Sequence, residues 1–150
     1  MFKKILVPLD GSELSASILD HVVTIANCSR ASEVVLVRVR DFLDPVAMRT
    51  MSAKMVEQID EAYQKEAETY LKTIAETLNK KSVNTKSEVL SGNPAEEIIK
   101  YSQSNKIDLI IMSTHGRTGV SRLVWGSVAD KVSRSSSVPI LIVPPMNKAV

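Results

Sequence analysis

At 150 residues the chain has the length of one domain, 1–150, large enough to bury a core without disulfides or metals. Apolar residues make up 44% and charged residues 24%, an ordinary globular balance, and a net charge of +2 excludes a broadly basic nucleic-acid binder or a protein drawn to anionic membranes by charge alone. One cysteine, Cys28, cannot close an internal disulfide, which fits a reducing compartment.

The chain begins Met1-Phe2-Lys3-Lys4-Ile5, where the apolar run is cut short by Pro8 and Asp10. That is not the pattern of a signal peptide, and no apolar segment approaches the roughly 18 residues that span a bilayer. The expected location is the cytoplasm.

Phe2 to Leu9 carries the apolar block Ile5-Leu6-Val7, the mark of a strand covered on both faces. Asp10-Gly11-Ser12 breaks it, and Ser12 can cap a helix whose buried side repeats Leu14, Ile18, Val22 and Ile25 before fading near Asn27. A second strand, Val34–Val39, completes a βαβ unit, which demands a parallel sheet. Asp41 to Ser52 reads as loop, and Met55 through Leu78 as one long amphipathic helix with Ile59, Ala62, Ala67, Leu71 and Ile74 on its apolar side. Tyr63 and Tyr70 are read as packing on that side, and Cys28 as inert and part-buried.

Thr85 to Leu90 mixes polar and apolar residues, as an edge or a half-exposed strand does. Asn93-Pro94-Ala95-Glu96 starts a helix with a cap, a proline at the first helical position and a glutamate three residues after the cap. A buried strand, Ile107–Met112, feeds a long loop, a helix from Val128 to Ser135 follows, and a last strand runs from Pro139 to Val143. Five strands alternating with four helices predict a doubly wound parallel sheet with helices on both faces. Binding chemistry follows strands one and four, and if those are neighbours the order is 3-2-1-4-5, with a ligand crevice where the winding reverses.

The loop after strand four, Ser113-Thr114-His115-Gly116-Arg117-Thr118-Gly119 through Gly126-Ser127, is glycine-rich and opens a helix. Glycines let amides approach an anion, and the helix N-terminus adds donors and roughly half a positive charge. It is not a Walker A loop, for no lysine lies between Ser113 and Ser127. On the residues alone Asp10 is as much a turn-former as a ligand, Val39 is core, and His115 and Arg117 are surface residues as readily as phosphate contacts. Arg38 and Arg40 alternate with Val39 and face the other way, where solvation or an ion pair is the default. No carboxylate pair, Ser-His-Asp order or metal-ligand cluster marks catalysis, so the chain is not read as an enzyme.

Lys4-Ile5-Leu6-Val7-Pro8-Leu9-Asp10-Gly11-Ser12, the stretch from Met112 to Ser127 and Val138-Pro139-Ile140-Leu141-Ile142-Val143, in that order along the whole chain, resemble the universal stress protein family. The resemblance implies a Rossmann-like fold akin to adenine nucleotide alpha hydrolases, and a nucleotide-responsive stress regulator that binds ATP, ADP or AMP, with Mg²⁺ accompanying the nucleotide. The family's ATP binders carry Gly-x2-Gly-x9-Gly-Ser/Thr; here it reads Ser113-x2-Gly116-x9-Gly126-Ser127. By the resemblance Asp10 meets the ribose and helps hold Mg²⁺, Pro8 and Leu9 shape the adenosine side, and Val39 holds adenine. Met112, Ser113, His115, Gly116 and Arg117 run past the ribose and first phosphates, and Gly126, Ser127 and Val128 contact phosphate.

The strand Val138–Val143 would leave an apolar sheet edge, and pairing with its counterpart in a second copy would cover it. The resemblance implies that homodimer too. The alternative is a protein-interaction dimer with no nucleotide, because of Ser113.

Overall fold

The computed structural model describes residues 1–41, 44–114 and 126–144. Five strands, β1 (Lys4–Pro8), β2 (Glu33–Arg40), β3 (Thr85–Ser91), β4 (Leu109–Ser113) and β5 (Ile140–Val143), form one sheet in the order β3-β2-β1-β4-β5. All four neighbouring pairs are parallel, as the apolar blocks predict.

Alternation along the strands sorts side chains into two cores. Ile5, Val7, Val34, Leu36, Leu109 and Ile111 pack with α2 (Leu19–Ser29) and α4 (Ala53–Lys80) through Ile18, Val22, Leu71 and Leu78. Leu6, Val35, Val37, Ile110 and Met112 face the other way, onto α5 (Pro94–Ser104) and α6 (Ser127–Ser135), through Ala95, Ile98, Ala129 and Val132. Right-handed crossovers wind β1, β2 and β3 outward under one face, then return across the other to β4 and β5. The reversal therefore lies between β1 and β4.

The described residues form six helices, not four. The expected helix after Ser12 divides into α1 (Glu13–Ala16) and α2, with the fully buried Ile18 as the N-cap of α2 and its carbonyl accepting from the Val22 amide at 3.1 Å. Ser12 caps α1 as expected, its Oγ accepting from the Ser15 amide at 3.1 Å. The expected loop from Asp41 to Ser52 contains α3 (Pro45–Arg49), started by Asp44, which accepts from the Val46 amide at 2.8 Å, and by the proline at its head. No residue of α3 is buried.

The long helix also departs from its predicted stripe. Only Ala67, Leu71 and Leu78 of α4 are buried, while Met55 is 52% and Ile59 37% exposed. At about 1.5 Å per residue its 28 residues reach about 42 Å, whereas the 8 residues of β2 cover about 26 Å. The N-terminal half of α4 thus overshoots the carboxyl ends of the strands. Cys28, expected part-buried, is exposed, and among the described residues no helix is long and apolar enough to cross a membrane.

Candidate functional site

A crevice of about 410 Å³ opens at the carboxyl ends of β1 and β4, where the winding reverses. Its size falls in the range of small-molecule sites, and its place obeys the rule for open α/β sheets. Pro8, Leu9 and Asp10 from the end of β1 and Val39 from β2 form one wall. Met112 and Ser113 from β4 and Gly126, Ser127 and Val128 from the head of α6 form the other. The residues that follow β1 and those at the end of β4 and the head of α6, more than 100 positions apart in the chain, therefore line one space. His115, Gly116 and Arg117 lie outside the described residues.

The β1 loop is a closed hydrogen-bonded turn. Asp10 Oδ1 accepts from the Ser12 amide at 2.9 Å and from the Ser12 hydroxyl at 2.6 Å. The Ser15 hydroxyl donates to the Ser12 carbonyl at 2.9 Å, and the Asp10 amide points at Ser15 Oγ at 3.4 Å. Such an Asx turn fixes the carboxylate before any ligand arrives. Turn-former and wall residue are thus one role for Asp10.

α6 begins at Ser127, one residue before the expected start at Val128. Gly126, not Ser127, occupies the N-cap, and among the described residues no side chain caps the helix. The Gly126 amide donates to the Thr114 carbonyl at 2.7 Å, tying the head of α6 to the end of β4. Amides of the first turn that lack a side-chain cap are ready donors for an anion. Among the described lining residues there is no lysine or arginine, and Asp10 and Asp41 are the charged ones. The helix end is therefore the electropositive feature of the described wall.

Ser113 closes β4 in register with Val143, 8% exposed, and is not among the described non-glycine residues with positive φ, which are Arg30, Ser82 and Lys106. A glycine is not required there for backbone reasons.

Several lining residues were not singled out in the sequence. Asp41 follows Val39 by two residues and was within reach of the rule that ligands gather at strand ends. Ser15 repeats the Ser12 chemistry one helical turn on. Tyr63, read as packing, comes from α4 and Ile98 from α5, and no local pattern marks either.

Behind the β1 wall sits Arg38, 3% exposed although solvation was an open expectation for it. Its Nη1 contacts Glu66 Oε2 at 2.9 Å, and the guanidinium lies 5.3 Å from the Tyr63 ring centre and 5.4 Å from that of Tyr70. Burial disfavours the cation, but the hydrogen bond and charge of Glu66 outweigh it and hold the pKa above its ordinary value. Burial pushes the Tyr70 phenol up as well, with Ser15 and Arg38 pulling it down and Asp10 adding to the rise. Arg40 meets the ion-pair expectation, 2.7 Å from Asp60.

Fold and crevice together define a doubly wound α/β domain with a crevice of small-molecule size at its switch point. The model of the universal stress protein family matches residues 1–144, and the chain belongs to that family. Universal stress protein MJ0531 of Methanocaldococcus jannaschii is 34% identical over 143 residues, covering 95% of this chain and 82% of the relative. The structure of protein MJ0577 from the same organism superposes with a TM-score of 0.85 at 30% identity, covering 99% of each chain. Two more distant structures share the fold: a universal stress protein in complex with cAMP (TM-score 0.70, 18% identity, 95% and 97% covered) and an Arabidopsis thaliana family member with AMP bound (TM-score 0.64, 13% identity, 96% and 92% covered).

Proposed function

We propose that this universal stress protein is a cytoplasmic, single-domain binder of adenine nucleotides that reports nucleotide state to a partner and does not turn substrate over. The observation that carries the reading is the opposition, across one crevice, of the Asp10 turn and the α6 N-terminus, which no side chain among the described residues caps. A fixed carboxylate suits ribose hydroxyls, and a helix head suits phosphates. Val39 and Met112 offer apolar surface to a base between them. Two proteins of this fold hold cAMP and AMP, which supports adenine nucleotides as the class of ligand.

Mg²⁺ would come with the phosphates. Among the described residues no cluster of three metal-ligating side chains exists, so Asp10 would be one oxygen in a shell made mainly of phosphate and water.

The test is to heat-denature the purified protein, identify any released nucleotide, and titrate the stripped protein with ATP by calorimetry. Absence of both a released nucleotide and a binding signal would leave the nucleotide-free interaction dimer as the better reading. Exchanging Ser113 for glycine should shift ATP affinity by less than about threefold, because serine already sits in strand geometry there. The same change should lower stability by roughly 0.5–1 kcal/mol, the entropy cost of glycine in a strand, measured by urea unfolding.

The proposal extends to a homodimer. Among the described residues β5 pairs only with β4, and its Leu141 is 36% exposed. An apolar edge of this kind is covered economically by the same strand of a second copy. Light scattering should give twice the chain mass of 16.5 kDa, and a mass that stays at one chain at every concentration would refute it.

A further inference from the structure

Arg38 is an unusual residue for the middle of a parallel strand. Its neighbours Val37 and Val39 face the crevice side, so its own side chain runs under the opposite face of β2 and ends beneath the β1 loop. There it meets Gly11. Gly11 takes φ +85°, and a Cβ at that position would stand 2.9 Å from Arg38 Cζ and 3.0 Å from Nη2. The loop backbone therefore rests on the face of the guanidinium. A side chain at 11 would need both a left-handed backbone and a displaced arginine.

The guanidinium is itself held from three sides. Glu66 of α4 bonds Nη1, with 2.9 Å to each carboxylate oxygen, and the rings of Tyr63 and Tyr70 approach it at 5.3 and 5.4 Å. Nε has no hydrogen-bond partner among the described residues. The group is thus pinned by one ion pair, two aromatic rings and the loop above it. Tyr63 also lines the crevice, so the same cation lies behind two parts of one wall.

We propose that Arg38 is a positioning residue: its buried guanidinium, fixed by Glu66 and two tyrosines of α4, supports Gly11 and so holds the Asp10 carboxylate at the angle from which it reads the ribose. The proposal rests on the adenine-nucleotide reading of the crevice and adds to it the device that orients Asp10. Arg38 touches no ligand.

The experiment compares Arg38→Met with Glu66→Gln. Glu66 has a side chain 58% exposed, so its exchange removes the pin without emptying the core. Calorimetry with ATP and with 2′,3′-dideoxy-ATP measures how strongly the ribose hydroxyls are read. Hydrogen exchange of the Ser12 amide, which donates to Asp10 Oδ1, measures loop order without any ligand. The wild type should favour ATP over the dideoxy analogue by about tenfold, the effect of hydrogen bonds to a charged group. Arg38→Met should bring that ratio close to one while dideoxy-ATP affinity changes little, and Glu66→Gln should move it the same way by less. Both variants should speed exchange at Ser12 while leaving exchange in the buried β4 amides unchanged.

An unchanged ATP preference, or equal weakening of both nucleotides, would overturn the proposal and reduce Arg38 to packing. If the wild type binds neither nucleotide, the ligand reading fails, and the exchange arm decides the positioning claim: unaltered Ser12 protection overturns it, and selective loss upholds it. Should Arg38→Met fail to fold, Glu66→Gln carries both measurements.

Discussion

Exchanging Gly126 for aspartate should weaken ATP binding by at least about a hundredfold without lowering the melting temperature. Gly126 has φ −58° and ψ 149° at the N-cap of α6, a conformation open to any residue, and aspartate is a preferred N-cap. Folding should therefore gain a few tenths of a kcal/mol from the new cap. Binding loses twice. The new carboxylate consumes the amide donors of the first turn, and it repels the phosphates with about 4 kcal/mol for unit charges 4 Å apart at an effective dielectric of 20. Among the described residues the crevice wall holds no lysine or arginine to offset that repulsion.

Gly126→Asn has the same shape and capping ability without the charge, so the difference between the two variants isolates electrostatics. Calorimetric titration of both, with thermal melts alongside, separates binding from folding. Equal ATP affinity for the wild type and Gly126→Asp would mean that the phosphates lie elsewhere.

Leu71→Ala should be, with Leu78→Ala, among the most damaging truncations on α4, costing about 3 kcal/mol. Leu71 is 1% exposed and packs in the core between α4 and the sheet. The helix has 28 residues but only Ala67, Leu71 and Leu78 are buried, so few contacts share its attachment. For a chain of this length the loss corresponds to roughly 6–12 °C in melting temperature. Lys72, the next residue and exposed, is the control: its exchange for alanine should stay within about 0.5 kcal/mol. Comparable effects at 71 and 72 would mean that α4 is not anchored through this face. Since Tyr63 and Glu66 lie one to two turns before Leu71, loosening the anchor should also reach the crevice wall, read as a lower ATP affinity for the fraction that remains folded.

Much of this protein was legible in its sequence because the signals are local. Ile5-Leu6-Val7, Val34–Val37 and Leu109–Met112 are short runs of consecutive apolar residues, the pattern of a strand covered on both faces, and their residues are divided between the two cores. Mixed polarity marked Thr85–Leu90 as an edge or a half-exposed strand, and β3 is an edge. Asn93-Pro94 marked the start of α5, where the Asn93 side chain accepts from the Glu96 amide at 3.3 Å. Counting alternating elements predicted the doubly wound class, and the pairing of β1 with β4 then fixed the order and the place of the crevice.

The same local logic passed over Asp44-Pro45, a cap and first-turn pair as good as Asn93-Pro94, because the surrounding residues have no periodic apolar face. α3 has no buried residue, so there was no face to find. The stripe on α4 overstated burial for a geometric reason: periodicity tells which side of a helix is apolar, not how far the sheet beneath it extends.

Sequence alone determined the parallel sheet, the family and the segments that carry binding chemistry, since each depends on residues adjacent in the chain, whereas the strand order stayed conditional on β1 and β4 being neighbours until the fold paired them. Tertiary structure decided what surrounds them. Arg38 looks like a surface arginine beside Val39, yet Glu66, Tyr63 and Tyr70, some 25 to 32 positions later, bury it under Gly11. Ser113 stands at the first position of the glycine-rich pattern, and only strand pairing with Val143 decides that its backbone is one serine adopts freely. In both cases the environment of the side chain is set by residues distant in sequence, and only the folded chain brings them together.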